Sequence, residues 1–539
     1  MKNLFLFLAI STILMSCSNK IEVDTIVINA NVYTVNNEFK KAESFAIKDG
    51  KIIAIGTSVE IQLNYKPINI INAQGKTIVP GFIDAHCHFY GLGLQQQKVN
   101  LEGTKSFNEV IERIVAFQKE KNVSYITGRG WDQNDWDIKE FPTKEKLDSL
   151  FPTTPIAVTR IDGHALLANQ AAIDLAGITI KTPFTGGEIL QKNGKLTGIF
   201  IDAPMELIEA KIPAPSKSEQ IQALKDAEKI CFNSGLTTVD DAGLSKDVIE
   251  LIDSLQQTGD LKIRIYAMVS VSDENIDYFT KKGIIKTDLL NVRSFKVYAD
   301  GALGSRGAAM KQPYSDQHNH YGALVTPLKD LRKYAIKIAA SNYQMNTHAI
   351  GDSANYVMLR AYKDVLKAKN DRRWRIEHAQ IVDKSDFIYF NNVIPSVQPT
   401  HATSDMYWAE DRVGAERIKG AYAYKDLLNT YGKIALGTDF PVEKVSPLLT
   451  FYAAVARKDL QGFPANGFQP ENALSREQTL KGMTIWAAYS NFEEHEKGSI
   501  EIGKFADFVI LDKNIMEIEE SKIPSIKIEG TYIAGIKVN

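Results

Sequence analysis

Cysteine is nearly absent: Cys17, Cys87 and Cys231 are the full complement in 539 residues. If Cys17 is lipidated, no disulfide framework is available, and the fold has to rest on a large apolar core. With 44% apolar and 24% charged residues, the composition is that of an ordinary globular protein able to build one. An excess of charge of one sign is missing too. Lys and Arg number 63 against 65 Asp and Glu, a net of −2, and no basic run occurs. Nothing electrostatic therefore draws the chain to nucleic acid or to an anionic membrane surface. Neither a Cys-x-x-Cys pair nor a phosphate-binding glycine loop is present, which removes the usual thiolate-metal and nucleotide readings.

A long apolar run is also lacking at the N-terminus. Lys2 precedes Leu4 to Met15, about a dozen residues, too short to span a bilayer and of the length of a signal-peptide core. Leu14-Met15-Ser16-Cys17 resembles a bacterial lipobox. It implies a leader over residues 1–17, lipidation of Cys17, and an exported lipoprotein of the cell envelope, periplasmic or anchored to the outer membrane. A plain secretory leader with an incidental cysteine is the alternative.

What is present begins with β-rich pieces at both ends, residues 18–77 and 490–539. Two half-size pieces of like character would close into one small composite β-sandwich. Between them, in residues 78–489, apolar β-type runs alternate with helical stretches. The runs are Ile78–Ile83, Leu236–Val239, Leu261–Val271, Val292–Tyr298, Gln344–Thr347, Trp374–Ile376, Val393–Val397 and Ile434–Leu436. Their number matches a closed (β/α)₈ barrel, so the expected fold class is α/β, a TIM-like barrel beside the sandwich. Residues 100 to about 210 break the rhythm and read as an insertion after the first strand, of the kind that shapes a pocket at the C-terminal face of a barrel.

Polar residues cluster at the ends of those runs. His86-Cys87-His88 follows the first, and alternate residues of a strand point the same way. Both imidazoles therefore leave one edge together, while Cys87 turns into the wall. Lys296 sits on the fourth run, His348 ends the fifth, His378 the sixth and Asp439 the eighth. Strand ends converge at a barrel mouth. Four imidazoles and a carboxylate exceed what one four-coordinate ion with an open position needs, which points to two divalent ions. A cationic lysine would be repelled there. A desolvated one deprotonates and can add carbon dioxide to become a bridging carbamate; the alternative for Lys296 is a surface or salt-bridged lysine.

The pattern resembles the amidohydrolase superfamily, and within it the Amidohydrolase family 3 branch that includes N-substituted formamide deformylase-like enzymes. The residues that carry the narrower resemblance are Gly130-Trp131-Asp132, Arg160 to Ala165, Ala299 to Arg306, His348 to Asp352, Arg375 to Gln380 and Gly437 to Val442. It implies hydrolysis of a non-peptide carbon–nitrogen bond. One metal would take His86, His88 and Asp439, the other His348 and His378, with carboxylated Lys296 bridging and Asp439 moving the proton. One departure is Ser353, where relatives commonly carry a basic residue.

Zinc suits these ligands, with iron, manganese, nickel and cobalt left open. Trp131, Asp162 and His164 in the insertion, and Arg306, are candidate substrate contacts; for the first three, packing within the insertion is the alternative. His318-Asn319-His320 repeats a His-x-His spacing but follows no strand, and reads as solvated loop. The expected partners are a small amide, a membrane through the anchor at Cys17, and no nucleic acid, with a homodimer left open. A mononuclear deaminase on the same barrel and an inactive binding lipoprotein are the competing functions.

Overall fold

The computed structural model describes residues 20–539 apart from 185, 368 and 369. Cys17 and the expected leader over residues 1–17 lie outside the described residues. Among these, no helix is long and apolar enough to cross a membrane. The described residues form two compact units: one takes those up to Cys87 with Cys231–Gly243 and Ile263–Asn539, the other His88–Ile230 with Leu244–Lys262.

The first unit carries the barrel. Its strands are β1 (Phe82–Cys87), β2 (Leu236–Leu244), β3 (Arg264–Ser270), β4 (Leu290–Tyr298), β5 (Gln344–Ala349), β6 (Arg375–His378), β7 (Ile394–Val397) and β8 (Ala435–Leu436). They neighbour one another in chain order, and each registered pair among them is parallel. The ends of the ring meet through side chain and backbone. Thr438 donates its N–H to Asp84 Oδ1 at 2.9 Å and its hydroxyl to Oδ2 at 2.7 Å. Asp439 N–H donates to the His86 carbonyl at 2.8 Å. Only glycine fits at 437, where a Cβ would stand 2.5 Å from the His86 nitrogen. Connecting helices bury one stripe each: Leu331, Ala335 and Ile338 of Leu328–Ala339 are the buried side chains of that helix, at the spacing an amphipathic helix requires.

The run Ile78–Ile83 is not one strand. Thr77–Pro80 pairs with Phe508–Leu511 and with Asn31–Tyr33, whereas Phe82 onward belongs to the barrel. The break is at Gly81, which packs on Thr237 of β2 so closely that a Cβ would lie 2.2 Å from its Oγ1. Gly81→Ala should cost about 1–3 kcal/mol, the range for overpacking a filled core. Urea unfolding measures this, and an unchanged midpoint would show that the contact is slack.

Thr77–Pro80 lies in a six-stranded sheet ordered Ile536–Lys537, Ile528–Ile533, Phe508–Leu511, Thr77–Pro80, Asn31–Tyr33, Lys41–Ala42. A four-stranded sheet holds Lys51–Gly56, Ser44–Lys48, Ile21–Ile28 and Tyr65–Asn72. Val27, Phe45 and Ile47 of the smaller sheet share one core with Val32, Ile78 and Phe508 of the larger. The packing is consistent with a sandwich assembled from both ends of the chain. Arg264 of β3 bonds Asp507 in a buried two-point pair, at 2.6 and 3.0 Å, and ties the start of strand Phe508–Leu511 to the barrel.

The second unit is larger than residues 100–210. Its six-stranded sheet, which includes Ile126–Trp131, Ile156–Arg160, Ala165–Ala168 and Lys195–Asp202, is covered on both faces. Ile156, Val158, Leu167 and Ile199 pack with Val110, Ile111 and Ile114 of helix Phe107–Lys121. The alternate residues Ala157, Leu166, Ala168 and Phe200 pack with Ala172 and Ile173 of helix Gln170–Ala176. The period of two along each strand decides which core a residue joins. Helix Lys217–Asn233 belongs here because Asp226 accepts from Lys121 at 2.7 Å and from Gln97 at 2.9 Å.

Candidate metal centre at the barrel mouth

His86, at the end of β1, is fully buried. Its Nδ1 lies 2.7 Å from Glu377 Oε2 of β6, and its Nε2 lies 3.0 Å from Lys296 Nζ of β4 and 3.7 Å from Asp439 Oδ1. A carboxylate behind an imidazole fixes the tautomer and aims the other nitrogen inward. Glu377 is itself placed by Arg375, two residues earlier on β6. The Arg375 guanidinium bonds Asp240 of β2 at 3.0 Å and lies 3.9 Å from Glu377. The ligand atoms of His86, His88 and Asp439 lie within 4.8 Å of one another. Cys87, between the two histidines, is buried in the wall with its thiol against the Asp240 carbonyl.

Lys296 is buried, 1% exposed. Burial, partly offset by the Glu377 and Asp439 carboxylates, brings its amine down to about 8. His348 at the end of β5 is driven to about 3 by burial and then by the Lys296 charge. Burial, with His348 and His86 next, holds His378 at the end of β6 well below the usual histidine range. The His348 and His378 rings stand 4.4 Å apart, and His86 and His378 4.9 Å. Neutral imidazoles are what a metal requires.

Two of these groups carry unusual backbone. His378 and Asp439 have φ of +73° and +62°, a left-handed conformation that costs most non-glycine residues energy and concentrates at functional sites. The backbone turn lets the side chains at the end of β6 and just past β8 point into the mouth. Asp300, after β4, holds the neighbouring loops together: it accepts from the N–H groups of Ile350 at 3.0 Å and of Gly351 and Ala309 at 2.8 and 2.9 Å.

The structure adds His401, which follows no strand directly. It lies in the first turn of helix Pro399–Asp405 after β7. Its Nε2 is 3.3 Å from Asp439 Oδ2 and its Nδ1 3.1 Å from Glu443 Oε1. Burial alone would favour a neutral ring, but the bonds to Asp439 and Glu443 outweigh it and push His401 up to about 10. His378, His401 and Asp439 form a second group of ligand atoms within 4.8 Å. His348, expected beside His378 on one metal, belongs to neither group; its Nε2 faces Asp300 at 3.7 Å. The motif Gln398-Pro399-Thr400-His401, right after the seventh apolar run, was the available signal.

The proposed substrate contacts fare differently. Trp131 is core rather than pocket wall. It is fully buried against Trp136, and its indole N–H donates to the Val158 carbonyl at 2.9 Å. Asp162 accepts from the His164 N–H at 3.0 Å and bonds Arg160, while exposed His164 lies 2.8 Å from Asp202. Arg306 is gripped by Asp316 at 3.0 and 2.8 Å. His320 braces the same loop through Nε2 on the Arg306 carbonyl at 2.9 Å, so this half of the His-x-His pair is tied in rather than solvated.

The donor set fits divalent metal. His348 Nε2 and His378 Nδ1 are buried and make no hydrogen bond among the described residues. Stranded buried nitrogens of this kind cost energy unless something takes their lone pairs. Imidazole and carboxylate donors in such number suit zinc and its first-row neighbours.

Known proteins resemble this chain in sequence and fold. The Amidohydrolase family model matches residues 69–538. Protein LONG AFTER FAR-RED 3 of Arabidopsis thaliana is 33% identical over 96% of this chain and 91% of its own. N-substituted formamide deformylase of Arthrobacter pascens is 25% identical over 95% and 98%. The crystal structure of an uncharacterized metal-dependent hydrolase from Pyrococcus furiosus superposes with a TM-score of 0.77 at 27% identity, covering 92% of this chain and all of that one. Fold, donor set and sequence lead to one conclusion: the chain belongs to the amidohydrolase family.

Proposed function

We propose that the protein is a metal-dependent hydrolase of a small amide, cleaving an N-formyl or N-acyl carbon–nitrogen bond other than a peptide bond. The observation that carries this reading is the convergence of His86, Lys296, His378 and Asp439 from four strand ends on one buried mouth. The bond class is supported by similarity to the Arthrobacter pascens deformylase. His86, His88, His348, His378 and Asp439 would hold two divalent cations, zinc fitting best. When bound, the cations polarise the amide carbonyl and acidify the attacking water.

Lys296 completes the set as a carbamate. As a plain amine it sits 3.0 Å from His86 Nε2 and occupies the nitrogen a metal needs. Addition to carbon dioxide forms an N–C bond and releases a proton to solvent, which turns a donor into a carboxylate-like acceptor with two oxygens. Asp439 then takes a proton from the attacking water and returns it to the departing nitrogen, as general base and general acid in turn.

Chelator-stripped and zinc-reloaded protein should be assayed for amine release from N-formyl, N-acyl and cyclic amides. Reloading should restore turnover of at least one class and raise the melting temperature, since a ligand at a hundred times its Kd stabilises by about 2.7 kcal/mol. A fully loaded protein that releases amine from none of them would refute the bond assignment. A protein that takes up no metal would refute the metal-dependent reading.

A further inference from the structure

We propose that His401 is itself a protein ligand of the second cation, joining His378 on the Oδ2 side of Asp439 while His86 faces Oδ1. The inference rests on the metal-dependent reading above and changes its second ligand set.

Three observations carry it. First, the ligand atoms of His378, His401 and Asp439 gather within 4.8 Å, as those of His86, His88 and Asp439 do. Second, His401 is built like His86. Glu377 holds Nδ1 of His86 at 2.7 Å, and Glu443 holds Nδ1 of His401 at 3.1 Å. Glu443 is fixed in turn, because Ser404 donates its hydroxyl to the same Oε1 at 2.7 Å. A carboxylate on the outer nitrogen is the usual support of a metal-bound imidazole. Third, the two inward nitrogens address different oxygens of Asp439: His86 Nε2 lies 3.7 Å from Oδ1, and His401 Nε2 3.3 Å from Oδ2. Oδ1 of Asp439 thus faces one carboxylate-backed histidine and Oδ2 the other, so a cation held by His401 would lie on the Oδ2 side.

The scaffold is stiff enough for the task. Pro399 opens the helix that carries His401, where its fixed φ is already helical. Tyr424 anchors the strand end beneath by donating its hydroxyl to the Gln398 carbonyl at 3.0 Å. The competing account is a histidine that only hydrogen-bonds Asp439 and orients it. Both give the metal-free contact, but they differ once metal is present.

Two measurements separate them. Anomalous diffraction from zinc-loaded wild-type crystals should place a metal about 2.0–2.1 Å from His401 Nε2, the ordinary zinc–imidazole distance. Titration with zinc, followed by elemental analysis, should show His401→Ala losing the second equivalent while the first is kept. Glu443→Gln should retain both but bind the second about 10–100-fold more weakly, as removal of a supporting group does. A metal bound elsewhere with His401 still on Asp439, or two equivalents held by His401→Ala with wild-type affinity, would overturn the assignment and leave the hydrolase reading intact. A wild type that binds no zinc would sink both. Should His401→Ala fail to fold, the wild-type diffraction alone decides.

Discussion

Asp439→Asn should retain at least one cation yet lose turnover by about 10²–10⁴-fold, the usual worth of a general acid–base group. The substitution is chosen for the backbone as much as for the side chain. Asp439 sits at φ +62°, and asparagine is among the few residues that tolerate the left-handed region. The strand end should therefore keep its course, with the N–H of residue 439 still on the His86 carbonyl. What disappears is the negative charge and the capacity to carry a proton from water to the leaving nitrogen. Full activity in this variant with any amide the wild type turns over would remove Asp439 from the proton path. Reduced KM with unchanged kcat would point the same way, since it would mean that the carboxylate had opposed binding rather than promoted reaction.

Lys296→Ala should bind fewer cations and lose most of its activity, and short-chain carboxylic acids such as acetate or propionate should restore part of both. The argument is electrostatic. An ammonium beside two divalent cations in a dry pocket is repelled at short range, and burial already brings this amine down to about 8. Carbon dioxide reacts only with the neutral amine, so the depression of its pKa favours the modification at neutral pH. A free carboxylate entering the space left by the missing side chain supplies the same two oxygens. Density for a carbamate carbon and its two oxygens beyond Nζ in metal-loaded wild type would support the bridge. A plain lysine with one tightly bound metal in active enzyme would refute the two-metal mechanism and favour a mononuclear, deaminase-like one.

Much of this was readable from local pattern. A parallel barrel strand is a short apolar run with a polar residue at its C-terminal end, and both features are local. His86, Lys296, His348, His378 and Asp439 could be picked out because each ends or lies on such a run. The limits of that reasoning are local too. In Ile78–Ile83 one apolar run serves two sheets, and only the approach of Thr237 shows why the chain divides at Gly81. Trp131 is apolar and polar-tipped, equally at home in a pocket wall or a core, and its contact with Trp136 and Val158 settles it as core.

His401 and Glu443 mark the deeper boundary. His401 enters the mouth from the first turn of a helix, where no period-two rule aims a side chain. Glu443 lies 42 residues further on and meets it only in the folded chain. By itself the sequence determined the α/β class, the polar strand ends and the chemistry those residue types allow, because strand alternation and donor type act between near neighbours. Which carboxylate backs which histidine, and which histidines surround Asp439, was decided by tertiary structure alone, because ring closure of the barrel brings together residues that no sequence spacing relates.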